Sequence, residues 1–487
     1  MPRKLAFRFL VAITLVWAVW AVWSFASSPR LVTVAVIDDV GFPIAGAELR
    51  ADQRLIGTTD DDGTLTIPWS PAVQMLTVAA AGFTPLEMTL LEPPGSQLEA
   101  VLRAQLLRGR VNNQEGEPVA GVYVSAGSAT AVSDEEGRFT VRGAEPGTVE
   151  VWRPAWDGST ISWGGGLGEE EIAIAPRVMK AVHIGGEAAR DNWQFYVDLV
   201  RDTELNALML DLKDETGLIF YLSEVPIAQE MEAAVDYYDL EALASQAEEE
   251  SIYLIGRVVA FQDPLAAIRA PELAVWDTEL NEPYAAGNQY FLDPTDPAAQ
   301  AYALDLGVEA CKLGVDEIQF DYVRFPDSRR ESARFDGGVS TEVRTPAIRD
   351  FLATAVAQLH PLGCAVAADI FGFLTKAIDD GGIGQKWEEV TAVLDVASPM
   401  LYPSHYASGW GGFDNPNDHP AEMVGTALDD GLQRLTRQTV VRPWLQDFGY
   451  TSAQVRAQID EAERRGLGWM LWNAQSNVTV EALRPGE

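Results

Sequence analysis

The chain reads as an α/β protein: a C-terminal (β/α)8 TIM barrel, two all-β sandwich modules before it, and an N-terminal transmembrane helix. Three observations predict this. After residue 177, short apolar stretches alternate with helical ones, the pattern of a parallel sheet with crossover helices. Between residues 31 and 176 a pair of turn-rich motifs occurs twice. At the start, Phe9 to Ala26 is an unbroken run of apolar and small residues without a charge. The implied divisions are 1–30, 31–103, 104–176 and 177–487.

Pro2-Arg3-Lys4 puts positive charge ahead of the apolar run, which holds the N-terminus in the cytoplasm and sends the rest of the chain across the membrane. The run is 18 residues, near the minimum for a span. Ser24-Phe25-Ala26 has the small residues of a cleavage site, so a cleaved signal is the alternative; the length and the tryptophans favour an anchor. The remainder is expected outside the cytoplasm, at the cell membrane or, after cleavage, secreted.

In the first β region Gly41-Phe-Pro43-Ile-Ala-Gly46 precedes Thr59-Asp-Asp-Asp-Gly63. In the second, Gly116-Glu-Pro118-Val-Ala-Gly121 precedes Ser133-Asp-Glu-Glu-Gly137. Alternating apolar and polar residues between such turns predict small antiparallel sandwiches. The Asp clusters are read as turn residues rather than calcium loops, because tight turns want Asp and Gly for backbone reasons alone. On these motifs the two regions resemble carboxypeptidase regulatory-like, transthyretin-like modules. That resemblance implies a fold and a spacer or contact role, and no activity.

Eight barrel strands are predicted: Met179–Ile184, Ala207–Leu212, Ile252–Val258, Glu317–Asp321, Ala365–Asp369, Val393–Met400, Thr439–Trp444 and Gly468–Trp472. Helices fall between them at Asn192–Arg201, Leu240–Glu250, Pro297–Lys312, Pro346–Leu359, Ala421–Leu435 and Ser452–Arg465. Asp293-Pro-Thr-Asp296-Pro297 supplies a cap followed by a first-turn proline. An eighth helix has only Val478–Leu483 to draw on. A doubly wound sheet is the competing fold, weakened because no Gly-rich phosphate loop follows the first strand.

Polar residues collect at the C-terminal ends of these strands, where barrel active sites are built. Side chains alternate along a strand, so Gln319 and Asp321 share a face, as do Ala365, Ala367 and Asp369, and Met209, Asp211 and Lys213. Asp321 and Asp369 end sequential strands and are the candidate catalytic pair. Two carboxyls across a cleft suit glycosidic bond cleavage: one protonates the leaving oxygen, the other attacks the anomeric carbon or activates water. Their separation would decide between retention and inversion. Trp444, Trp472, Tyr402 and Tyr322 are candidate sugar platforms. Asp211, Lys213, Arg257, Arg324, His405, Gln446 and Asn473 complete the expected substrate-binding set. An internal ion pair of Asp211 with Lys213 would account for those two charges equally well; Asp321 could likewise pair with Arg324 or Arg257, but a buried ion pair is a weak stabilising device and its strand-end position argues for use. His183 in the first strand stands where an aliphatic or small polar residue is expected.

The strings Phe291-Leu-Asp293-Pro-Thr-Asp-Pro297 and Asp316-Glu-Ile-Gln-Phe-Asp321-Tyr-Val-Arg324-Phe-Pro326 resemble a bacterial family of glycoside hydrolase-like barrels first catalogued as a domain of unknown function. Lys180-Ala-Val-His-Ile-Gly-Gly186, Leu210-Asp-Leu-Lys-Asp-Glu-Thr-Gly217, Ala368-Asp-Ile-Phe371 and Pro399-Met-Leu-Tyr-Pro403 are similar to its strand motifs. The resemblance implies a TIM-barrel glycosidase with Asp321 in its site; it does not carry a substrate.

Composition narrows the partners. Lys+Arg 35 against Asp+Glu 72 gives a net charge of −37, with only six lysines. Phosphate-backbone binding is driven by cationic side chains, so nucleic acid is excluded as an expected partner. A carbohydrate polymer, neutral or cationic, fits this charge better than a uronic-acid chain. Four histidines and no metalloprotease or serine-hydrolase motif leave no expected metal or cofactor. Cys311 and Cys364 would approach each other near the base of the barrel, and a disulfide there depends on geometry.

Overall fold

A computed structural model describes residues 30–69, 73–90, 95–166, 168–287 and 289–486. The expected membrane helix, Phe9–Ala26, lies outside these residues. Among the described residues no helix is long and apolar enough to cross a membrane. The chain forms two compact units, one ending at Arg153 and resuming over Gly158–Ala175, the other comprising Pro154–Asp157 and Pro176–Glu487.

The first unit contains the two β modules, and they share one topology. In each, a central strand (Arg30–Asp38; Leu106–Asn112) pairs antiparallel with one neighbour (Thr64–Trp69; Arg138–Arg142) and parallel with the module's last strand (Gln97–Ala104; Glu169–Ala173). The second sheets also correspond: Arg54–Thr58, Glu48–Ala51, Met75–Ala79, Leu86–Thr89 in one module match Ala129–Val132, Tyr123–Ala126, Gly147–Trp152, Ser159–Trp163 in the other. The second sheet of each module is antiparallel as expected, but the first is mixed, because the closing strand returns alongside the opening strand in the same direction. Alternation puts Val32, Val34 and Val36 inside against Leu49, Val78 and Leu102.

The repeated motifs are turn devices. Thr59 Oγ1 accepts from the Ala47 amide at 2.8 Å and donates to the Ile44 carbonyl at 2.7 Å. Ser133 does the same with Val122 and Val119 at 2.9 and 2.8 Å. The next residues, Asp60 and Asp134, accept from the amides of Thr64 and Arg138. Gly63 and Gly137 have φ of +70° and +73°, and a Cβ there would lie 2.7 Å from the Val36 carbonyl oxygen and 2.4 Å from that of Val111.

In the second unit eight parallel strands close a barrel. They are β1 Lys180–Ile184, β2 Ala207–Lys213, β3 Tyr253–Val259, β4 Glu317–Asp321, β5 Ala365–Phe371, β6 Val396–Leu401, β7 in two pieces, Val440–Val441 and Trp444–Gln446, and β8 Trp469–Trp472. Each pairs in parallel with the next, and β8 returns to β1 through Lys180↔Trp469 to Val182↔Leu471. Pro443, which has no N–H to give the ladder, falls at the break in β7. Outward residues such as Leu208, Leu254, Ile318 and Val366 pack under the helices. Inside, Ala181, Met209, Tyr253, Ile255 and Met470 fill the lower barrel. The Glu317 carboxylate and Arg442 guanidinium also pair there, with both side chains buried.

The helices over Leu240–Glu249, Pro297–Lys312, Pro420–Gln433 and Ser452–Glu463 lie close to their expected positions. Asp296 caps the second of these, accepting from the amides of Ala298 and Ala299. Two others begin earlier than expected, at Gly186 and Thr341, the latter carrying Pro346 inside it. No eighth helix comes after β8 among the described residues; the chain makes one 3-10 turn at Val480–Ala482.

Cys311, at the end of the helix before β4, and Cys364, at the start of β5, form a disulfide with Cα atoms 6.0 Å apart and a sequence separation of 53. Loop-closure entropy for such a span contributes about 4 kcal/mol. Reduction, or the Cys311→Ser/Cys364→Ser double change, is expected to lower the denaturant midpoint accordingly. An unchanged midpoint under reducing conditions would rule this contribution out.

Candidate active site

The lower barrel is filled, but at the C-terminal mouth a cavity of about 580 Å³ remains open. Asp321 and Asp369 both line it, together with Arg257, Tyr322, Arg324, Tyr402, His405, Trp444 and Trp472. β4 delivers Asp321 at its last residue and β5 delivers Asp369 two residues before its end, on the inward parity of each strand.

The two carboxyls have opposite surroundings. Asp321 Oδ2 accepts from Arg257 Nε and Nη2 at 3.0 and 2.6 Å, and its Oδ1 from the amide of Tyr322 at 2.6 Å. The last contact requires the chain to turn sharply, and Tyr322 adopts φ +47°. Asp369 has no cation on it. Its Oδ1 accepts from Gln319 Nε2 and Trp444 Nε1, both at 2.5 Å. Burial, then the charge of nearby Asp321, push the Asp369 carboxyl well above the usual carboxylate range, against the pull of Arg257 and the two hydrogen bonds. Two carboxyls in contrasting surroundings, one gripped by a guanidinium and one whose pKa burial raises, therefore face one cavity.

Arg257 is the hub of the floor. Besides Asp321 it donates from Nη1 to Asp211 Oδ1 at 2.9 Å and reaches Glu215 Oε2 at 3.5 Å from Nη2. Its guanidinium also lies over the Trp472 ring, 5.0 Å from the centroid. Arg324 donates to the Phe325 carbonyl and lies over Phe371, Tyr322 and Phe291 at 4.8 to 5.4 Å. Burial lowers its pKa. Both cations of the cavity wall are thus engaged by the protein.

Four of the expected substrate-binding residues do not reach the cavity wall. Strand alternation places Lys213 on the face of Asp211, but β2 shifts register between them, a bulge that flips the parity. Its ammonium instead donates to the Val259 carbonyl at 2.7 Å and pairs with Asp263 at 2.9 Å. Gln446 spends its amide on the Ser404 N–H and the Phe448 carbonyl, and Asn473 on the Gln475 N–H and the Asp447 carbonyl. Asp211 sits beneath Arg257 as its second anchor. Conversely, Glu215, Phe371, Phe373, Gln385, Tyr406 and Trp410 line the cavity although they are absent from the expected set. Phe371 was available from the alternation of β5, and Tyr406 and Trp410 lie in the loop after β6; no spacing rule points Glu215, beyond the bulge, into the mouth. Gln385 donates to the Asp369 carbonyl at 2.8 Å and accepts from the Phe371 amide at 3.1 Å, pinning the end of β5.

The family strings divide by role. In Phe320-Asp-Tyr-Val-Arg-Phe325 the site residues alternate with buried ones, Phe320, Val323 and Phe325 being wholly enclosed. Asp293 is structural: it accepts from the amides of Thr295 and Asp336 at 2.8 and 2.6 Å. No group of three or more His, Cys, Asp or Glu among the described residues is arranged to hold a metal ion.

A closed parallel barrel whose mouth brings two carboxyls together among aromatic walls has the layout of a TIM-barrel glycoside hydrolase. Residues 181–478 match the family described as "Putative glycosyl hydrolase domain", and the chain belongs to it. Among solved structures it is similar to a hypothetical protein from Ruminiclostridium thermocellum ATCC 27405, with 34% identity over 39% of this chain and 96% of that one and a TM-score of 0.35. It is also similar to the PgaB (BpsB) glycoside hydrolase domain from Bordetella bronchiseptica (12% identity, 61% and 95% of the two chains, TM-score 0.45). The PelA glycoside hydrolase domain from Pseudomonas aeruginosa is a third (13%, 61% and 96%, TM-score 0.39). No curated protein matches the chain.

Proposed function

We propose that the barrel hydrolyses a glycosidic bond of a polysaccharide outside the cytoplasm, with Asp369 as general acid and Asp321 as nucleophile or base. The observation that carries this reading is the contrast between the two carboxyls in one cavity. Asp369, whose proton burial favours, gives it to the glycosidic oxygen as the bond to the anomeric carbon breaks. Asp321, gripped by the Arg257 guanidinium, attacks that carbon or takes a proton from the water that does. Phe373 and Trp410, half-buried on the cavity wall, offer apolar faces to sugar rings, with Tyr402 and Trp444 buried behind the site.

Charge indicates the polymer class. Glu215, Asp321 and Asp369 line the cavity, while Arg257 and Arg324 are already engaged. A uronic-acid chain would meet these three acidic groups with only Arg324, which makes no ion pair among the described residues, to balance them, whereas a neutral or amine-bearing sugar meets carboxyls and aromatic rings. The location rests on the basic, then apolar, N-terminus and is supported by the disulfide, which persists in oxidising compartments.

The double contact of Arg257 with Asp321 favours a second reading, a carbohydrate-binding scaffold whose carboxylate is structural. Incubating residues 31–487 with neutral, amine-bearing and uronic polysaccharides, beside Asp321→Asn and Asp369→Asn, separates the two. Release of reducing ends by the wild type alone is expected; binding by all three proteins with no turnover would select the scaffold.

A further inference from the structure

One buried titratable group beside the reacting carboxyls has no role in the hydrolysis itself. His183, in β1, is 4% exposed and has both ring nitrogens engaged. Nδ1 lies 3.0 Å from the Asn473 carbonyl oxygen, which accepts only, so Nδ1 donates. Nε2 lies 3.0 Å from Asp211 Oδ2, also an acceptor, so the ring that satisfies both contacts is the imidazolium, with an N–H on each nitrogen. Burial alone would raise the Asp211 carboxyl, but the charges of His183 and Arg257 and their hydrogen bonds hold it down to about 2. Asp211 therefore stands as a charged link between the histidine and the guanidinium that grips Asp321.

The contacts form one line from a backbone carbonyl to a reacting group: Asn473 O, His183, Asp211, Arg257, Asp321, with successive distances of 3.0, 3.0, 2.9 and 2.6 Å. A guanidinium held only through Nε and Nη2 can swing with its partner. Held also at Nη1 by a carboxylate that is itself fixed, it has one orientation. The alternative partner is at hand, because Glu215 Oε2 is 3.5 Å from Nη2 on a side chain 46% exposed. The His183 ring also packs on Trp472, with centroids 4.1 Å apart, the ring that Arg257 covers as well.

The geometry points to His183 as a positioning residue, which through Asp211 locks Arg257 and with it the aim of Asp321. This rests on the reading of Asp321 and Asp369 as the reacting carboxyls. His183 touches no substrate in this scheme. Its chemistry is that of an orienting donor whose loss is felt three contacts away.

Two substitutions separate the donor from the bulk. In His183→Gln the side-chain amide nitrogen takes the place of Nε2 and still donates to Asp211. In His183→Asn it takes the place of Nδ1, serves Asn473 and leaves Asp211 without its donor. His183→Asn is expected to lower kcat on the order of 10²-fold, the cost of a misaimed group, with a much smaller change in KM. His183→Gln is expected to keep most of the wild-type kcat. Asp211→Asn should fall as far as His183→Asn, and the double variant no further, because the two act as one unit. Equal losses in His183→Gln and His183→Asn, multiplying losses in the double variant, or wild-type kcat in all of them would overturn the assignment. Should the wild type turn over no polysaccharide, the hydrolase reading fails, and the relay is read from crystal structures instead. Arg257 is then expected to leave Asp211 or Asp321 in His183→Asn and to keep both in His183→Gln. An unmoved Arg257 in His183→Asn sinks the proposal. Melting temperatures of the single variants identify a folding failure, in which case Asp211→Asn carries the same comparison.

Discussion

Replacing Asp369 by Asn is expected to lower kcat on the order of 10³-fold, in the range a general acid supplies, while the fold stays at least as stable at neutral and alkaline pH. The carboxyl is buried, has no cation on it and faces the Asp321 charge, so the protein holds its pKa well above the ordinary 3.8. This sets the sign of the stability effect. Below the ordinary carboxylate value folded and unfolded chains both hold the proton, and nothing is lost. As pH rises from there through the raised folded value, the unfolded chain ionises first and folding stability falls. Asparagine carries no such charge, and its amide oxygen still accepts from Gln319 and Trp444. Denaturant unfolding of both proteins at mildly acidic and alkaline pH measures this directly. A wild type that gains stability over Asp369→Asn as pH rises would contradict a neutral acid in the site. The rate depends on the same proton: activity falls on the alkaline side as Asp369 loses it. Asp321→Asn removes the charge that raises Asp369, so any residual activity should lose its alkaline side at lower pH.

Most of the barrel was legible because strand alternation needs only local sequence. The inward parity of Asp321 and Asp369 required no more than counting from Glu317 and Ala365, and the closed sheet then brought both to one cavity. The same counting failed for Lys213, because a single bulged residue reverses parity and leaves no mark in composition. It failed for Gln446 and Asn473 for another reason. Both lie at the mouth, but their amides are consumed by loop backbone that only the folded chain brings near. His183 gave one signal, a polar residue between the apolar Val182 and Ile184. Its partners Asp211 and Asn473 lie 28 and 290 positions away, beyond any spacing rule. In the β modules the Asp and Gly read as turn residues do lie in turns, since the partners of Asp60 and Asp134 are four positions on within the motif, whereas the bonds of Thr59 and Ser133 to the preceding turn gave no sequence signal.

Arg257→Met is expected to abolish hydrolysis and to destabilise the barrel by about 3–5 kcal/mol, the cost of leaving buried charges unpaired. The guanidinium is 1% exposed and lies between Asp211 and Asp321, whose side chains are each 8% exposed. Without it, two enclosed carboxylates face each other across an apolar stem. The deficit should be largest at neutral pH. Asp211 is held near 2 in the wild type, so its pairing contributes stability above the ordinary carboxylate value and loses it as pH falls toward 2. The variant lacks much of that contribution, and its gap to the wild type therefore narrows on acidification. Arg257→Lys should recover part of the stability and little of the activity, because a point charge cannot donate to Asp211 and replace both arginine donors to Asp321 Oδ2 at once. The decisive comparison adds Asp211→Asn and Asp321→Asn to Arg257→Met. If the loss comes from unpaired charge, the triple variant regains stability while remaining inactive. If it is as unstable as Arg257→Met alone, the guanidinium acts mainly as packing beneath Trp472, and the electrostatic account of the floor is wrong.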